Sequence, residues 1–99
     1  MYVSSILWRF KSGTRDRVAQ VLEEQILPAV RQVPGLRHVY VAPTDADTWL
    51  SVLLYDSETQ AQQGMATLVP IVRQSMGDTV EGMERHAGEV TLEAHPREH

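Results

Sequence analysis

Residues 49–56, Trp-Leu-Ser-Val-Leu-Leu-Tyr-Asp, put large apolar side chains on both alternating sets: Leu50/Val52/Leu54 on one, Trp49/Leu53/Tyr55 with Ser51 on the other. Successive side chains of a strand point to opposite sides of its sheet, so this strand needs apolar cover on both faces. Residues 2–11 repeat the pattern, with Tyr2/Ser4/Ile6/Trp8/Phe10 set against Val3/Ser5/Leu7/Arg9. The cover available within the chain is two helices. Ser12-Gly13-Thr14 supplies a turn and a capping hydroxyl, and a helix is predicted from about Thr14 with Asp16 in its first turn. Its stripe, Val18, Val21, Leu22, Ile26, Ala29, Val30 and Val33, advances in threes and fours along one face. Pro28 removes the hydrogen bond to the carbonyl of Glu24, which predicts a kink or a restart, and Pro34-Gly35 ends the helix. Ser57-Glu58-Thr59-Gln60 is a capping box for a second helix that starts at Glu58 and carries Ala61, Met65, Leu68, Val69, Val72 and Met76. Pro70 is expected to interrupt it as Pro28 does the first, with Gly77 and Gly82 loosening the chain beyond its end.

Residues 36–42 form a further predicted strand, joined by the polar stretch 43–48 as a hairpin to the strand that opens at Trp49. A last strand is predicted over 88–94, so that one domain spans 1–94 and 95–99 is a polar tail. Strand, helix, strand, strand, helix, strand is the split βαβ order: a ferredoxin-like α+β domain, βαββαβ, with a four-stranded antiparallel sheet and both helices on one face. The aliphatic set Leu50/Val52/Leu54 is expected beneath the helices. The bare face then carries Trp49, Leu53 and Tyr55 together with Ile6, Trp8 and Phe10 or their alternates, too much apolar area to leave in water. A second copy packed sheet to sheet about a two-fold axis is the simplest cover, giving a homodimeric eight-stranded α/β barrel.

Composition narrows the function classes. The chain has 99 residues, no cysteine, and a formal charge of −4 from 9 Lys and Arg against 13 Asp and Glu. Disulfides, thiolate nucleophiles and thiolate metal sites are excluded. An acidic balance disfavours nucleic-acid partners, whose phosphates must be neutralised by lysine and arginine. An RNA-binding βαββαβ module stacking bases on Trp8 and Tyr55 would lack both its basic and its aromatic signature. No stretch reaches the ~18 to 20 apolar residues of a membrane span. Met1-Tyr2-Val3-Ser4-Ser5-Ile6 has no basic lead into a long apolar run, so a secretory signal is not expected and cytoplasmic residence is the default.

Several short segments then point to a family. The Phe10-Lys11-Ser12-Gly13 turn, Leu27-Pro28, Val33-Pro34-Gly35-Leu36, Tyr55-Asp56-Ser57-Glu58 and Gly88-Glu89-Val90, in this element order, resemble the antibiotic-biosynthesis-monooxygenase group of dimeric α/β barrels. The resemblance implies a cofactor-independent monooxygenase-like protein acting on a small aromatic, phenolic or quinol compound. The alternative is a non-catalytic homodimeric barrel that binds a small apolar ligand. Haem-degrading members carry an asparagine on the first strand, and a tryptophan and a haem-ligating histidine on the second helix. Those places fall near Ile6, Gly64 and Gln74, and none matches. Tyr55 stands where quinol oxygenases have a tryptophan, and 58–82 lacks the histidine they often carry there. No cofactor is implied.

Trp8, Tyr40, Trp49 and Tyr55 could wall a pocket for a flat ring, or could fill the barrel and dimer core. His38 and His86 are candidates to move a phenolic proton, with rim or surface positions as the alternative. Arg9, Arg37 and Arg85 could meet a carboxylate or enolate, or stand solvated. Met65, Met76 and Met83 are expected to pack under the sheet. His95 and His99 lie four apart but flank Pro96, which breaks the helix they would need, so no metal is assigned.

Overall fold

The computed structural model describes residues 1–94; the predicted tail, with His95 and His99, lies outside the described residues. The elements are β1 (Tyr2–Phe10), α1 (Arg15–Val21), a π-helical segment (Leu22–Ile26), α2 (Leu27–Val30), β2 (Leu36–Pro43), β3 (Thr48–Tyr55), α3 (Glu58–Met76), a 3₁₀ turn (Gly77–Thr79) and β4 (Val80–Glu89). The strands order β2-β3-β1-β4, all neighbours antiparallel, with β1 and β3 in the centre. This is the ferredoxin-like arrangement expected from the element order.

Pro28 acts as its missing N–H requires. The backbone N–H of Leu27 bonds the carbonyl of Leu22, five residues back, and a fresh α-turn starts with the proline at its head. Pro70, by contrast, leaves α3 continuous. Pro70 and Ala66, whose carbonyl loses its i+4 donor, are both exposed, so water can serve that carbonyl. Ser57 caps α3, its Oγ accepting from the N–H of Gln60 at 3.2 Å. Thr14 makes no such cap; its hydroxyl donates to the carbonyl of Lys11 at 2.6 Å and closes the preceding turn. Gly35, at φ +75°, follows the first helical stretch in a conformation that suits glycine, and its carbonyl accepts from the N–H of Asp56 at 2.8 Å.

Two further expectations are overturned. The last strand spans Val80–Glu89, not 88–94, and pairs with β1 from Phe10↔Val80 to Tyr2↔Glu89. It is an edge strand bearing Glu81, Glu84, Arg85, His86 and Glu89; the charges that blunt an edge also erase the apolar alternation by which a strand is recognised. The second correction concerns the faces. Register sets Trp8 opposite Trp49, Ile6 opposite Ser51 and Ser4 opposite Leu53 on the helix side, while Leu7/Leu50, Ser5/Val52 and Val3/Leu54 face away. The aromatic set therefore lies beneath the helices, where Leu53 is 7% exposed and Tyr55 fully buried. The aliphatic set is the bare one. Period-two patterning shows which residues share a face, but with both sets apolar it cannot say which face the helices take. Polar pairing favours the observed choice, since the Trp8 indole and the Ser51 hydroxyl satisfy one another under the helices.

The core divides in two. At one end of the sheet Val33, Leu53, Tyr55, Ala61 and Leu68 pack together; at the other, Phe10, Val18, Val21 and Met76 do so, with Trp8 and Trp49 against them.

Candidate functional site

Between those two clusters, bounded by the sheet and the helices and open on one side, lies a pocket of about 350 Å³. That is within the size range of small-molecule sites. Its floor is the middle of the sheet, with Ile6, Trp8, Trp49 and Ser51, flanked by Val39 and Val41 of β2. One wall comes from the π-helical segment and the residue after it, through Leu22, Glu23, Ile26 and Leu27; the other comes from α3, through Met65, Val69 and Val72. A π-turn widens the helix and shifts the side chains after it, and such turns are frequent at functional sites. Here Pro28 places one along the wall.

The polar groups of the wall are few. Trp8 Nε1–H donates to Ser51 Oγ at 3.1 Å, and Ser51 Oγ–H reaches the carbonyl of Ile6 at 3.4 Å. Glu23 is exposed and Trp49 half-buried. Trp8 also stacks on Phe10, ring centroids 6.3 Å apart and planes 17° from parallel, which holds the indole in place.

Of the residues singled out from the sequence, Trp8 and Trp49 line this pocket. Tyr55 does not. Its ring is buried in the adjoining cluster against Gly64 of α3, where a Cβ would come within 2.6 Å of Cε1. Its hydroxyl is buried without a hydrogen-bond partner among the described residues. Burial pushes the phenol pKa up, only partly offset by the nearby Arg85 guanidinium. Tyr40 and His38 project from the opposite face of β2, away from the pocket, and stack with centroids 6.2 Å apart; Tyr40 is 64% exposed. They sit on that face because His38 and Tyr40 pair with Leu54 and Val52, a register set by the irregularity between Leu36 and His38. His86 is exposed on β4, its Nε2 2.9 Å from Glu84 Oε1. The acid–base roles considered for His38 and His86 therefore have no place in the pocket.

The arginines are also elsewhere: Arg37 pairs with Asp56, Arg85 donates to Ser4 Oγ at 3.3 Å, and Arg9 packs over Gly82. Met65 and Met76 project from α3 toward the sheet, as expected, whereas Met83 is 50% exposed on the edge strand. Sequence reasoning did not single out Ser51 or the π-segment residues. Ser51 had a visible signal, being the one small polar residue between the apolar side chains of 49–55. Among the described residues no histidine, cysteine or tyrosine lines the pocket, so the haem-ligating histidine of the haem-degrading members has no counterpart in its wall. Gly64, near the family's tryptophan position, has no space for a side chain. The haem-degrading arrangement does not fit this chain. Among the described residues no cluster of three or more His, Cys, Asp or Glu could hold a metal ion, and no helix is long and apolar enough to cross a membrane.

No family model matches the sequence, and no curated protein does so. Solved structures do match the fold. A protein of unknown function from Nitrosomonas europaea superposes with a TM-score of 0.83 at 12% identity, covering 98% of this chain and 95% of its own. A second protein from the same organism, assigned to the antibiotic biosynthesis monooxygenases, gives 0.79 at 14% identity over 93% of this chain and 100% of its own. A monooxygenase from Streptomyces coelicolor, solved with nanaomycin D, gives 0.75 at 14% identity over 97% and 92%. The chain thus has the fold of the antibiotic-biosynthesis-monooxygenase proteins.

Proposed function

We propose that this is a monooxygenase-like protein whose helix-covered pocket takes a small, uncharged aromatic compound of the phenol or quinol class. The observation that carries the reading is the pocket itself, two indoles and aliphatic side chains around about 350 Å³ with a single buried hydroxyl. Aromatic walls hold flat rings by dispersion and edge contacts, and an almost uncharged wall penalises an ionic ligand that would lose its hydration. In cofactor-independent oxygenation the electron-rich ring itself reduces dioxygen, so the chain's part would be to bind the ring, orient it and exclude water. Oxygen uptake with a panel of quinols and activated phenols tests the activity, with uptake above the buffer rate as the expected result. The lack of an acid or base on the buried wall, among the described residues, favours the second reading, a non-catalytic barrel that binds an apolar ligand. Saturable binding without uptake across the panel would establish that second reading over the first.

The proposal includes a homodimer. In one chain the face bearing Leu7, Leu50, Val52, Leu54 and Tyr40 lacks cover among the described residues, Leu7 being 40% exposed. A second copy laid on that face hides the aliphatic set and leaves the pocket on the far side of each sheet intact.

A further inference from the structure

Resting on the pocket reading above, we infer that Ser51 sets ligand specificity, selecting a ring that carries a neutral hydroxyl or N–H over the same ring without a donor or as an anion. A serine hydroxyl has one hydrogen to give and two lone pairs to receive. In this pocket the hydrogen is directed to the carbonyl of Ile6 and one lone pair takes the indole N–H of Trp8. Tryptophan has a single donor, so Trp8 is used up by that bond. What the pair still offers the pocket is the second lone pair of Ser51 Oγ, an acceptor. Ser51 is 8% exposed, held on the central strand β3 opposite Ile6 of β1, and both flanking strands are hydrogen-bonded to β3. The acceptor is therefore fixed in place, and its position is set by the sheet.

The remaining charge on the wall has the same sense. Glu23 is a carboxylate at the exposed side of the pocket, and it too accepts. A neutral phenol can donate to such a site; a phenolate or carboxylate would meet a lone pair and a negative charge, with no cation among the described lining residues. The indole N–H of Trp49 is the one other donor among the described lining side chains, and a ligand acceptor engaging it would give the opposite preference.

The experiment is a ligand series of matched shape on the unmodified protein, read by quenching of tryptophan fluorescence: naphthalene, 1-naphthol and 1-methoxynaphthalene. The expected order is 1-naphthol tightest, by roughly three- to tenfold over naphthalene as one neutral hydrogen bond provides. The methyl ether should bind no better than naphthalene. Raising the pH past the ionisation of 1-naphthol should weaken its binding while leaving that of naphthalene level. Ser51→Ala should collapse the preference to near unity, and Ser51→Thr should restore it. Equal binding of all three ligands, or a preference for the methyl ether through Trp49, would overturn the role of Ser51 while leaving the pocket standing. No saturable binding of any of them would remove the pocket reading and this inference together.

Discussion

Gly64→Ala is expected to destabilise the protein by about 1 to 2 kcal/mol, although alanine is the better helix former by about 1 kcal/mol in an exposed helix. Gly64 lies in the middle of α3 and is buried, and the Cβ it lacks would stand 2.6 Å from Tyr55 Cε1 and 2.8 Å from its hydroxyl. The tyrosine ring has no exposed direction into which to move. The cost is therefore borne by α3, which must lift from β3 and disturb the cluster of Leu53, Ala61 and Leu68. For a domain of this size the melting temperature should fall by roughly 5 to 10 °C. In a Tyr55→Leu background, where the ring is gone, the same Gly64→Ala change should become neutral or stabilising. A Gly64→Ala protein that melts at or above the parent temperature would mean that α3 and β3 are further apart than these contacts require.

The second large effect concerns assembly. Val52→Lys should convert a dimer into a monomer, raising the dissociation constant at least about a hundredfold, because a two-fold axis would bury two unpaired ammonium groups in one interface. Val52 sits in the central strand β3 on the helix-free face, between Ser5 of β1 and Tyr40 of β2. Its substitution leaves the helix-side core untouched, so helical circular dichroism should persist while the melting temperature loses its dependence on protein concentration. Leu53→Asp, one residue along, should instead prevent folding, since Leu53 is 7% exposed inside the chain's own core. Sedimentation equilibrium at micromolar concentration separates these outcomes. A parent protein that is itself monomeric, with Val52→Lys unchanged from it, would refute the barrel dimer.

The contrast between Val52 and Leu53 shows where the sequence was legible and where it was not. Element order, the Ser57 cap and the disturbance at Pro28 could be read because each rests on local chemistry: a missing N–H, a hydroxyl three residues before Gln60, a period of two or of three to four. The side of the sheet that the helices cover could not, because Trp49/Leu53/Tyr55 and Leu50/Val52/Leu54 are both apolar and the decision belongs to tertiary packing. Strand β4 was missed for a related reason, as its pairing with β1 is carried by backbone hydrogen bonds and its side chains are largely charged. Trp8 and Trp49 could be proposed as pocket residues from residue type alone. His38, Tyr40 and His86 could not be separated from them without knowing that the first two face away and the third stands on an edge.

On this account the space between the two halves of the core is a binding site and not packing slack. A crystal structure of the protein soaked with 1-naphthol tests it most directly. The predicted result is ordered ligand density between Trp8, Trp49 and Val72, with the ligand hydroxyl within hydrogen-bond distance of Ser51 Oγ. A pocket closed by the side chains of Leu22, Ile26 and Met65, with no ligand in it, would contradict it.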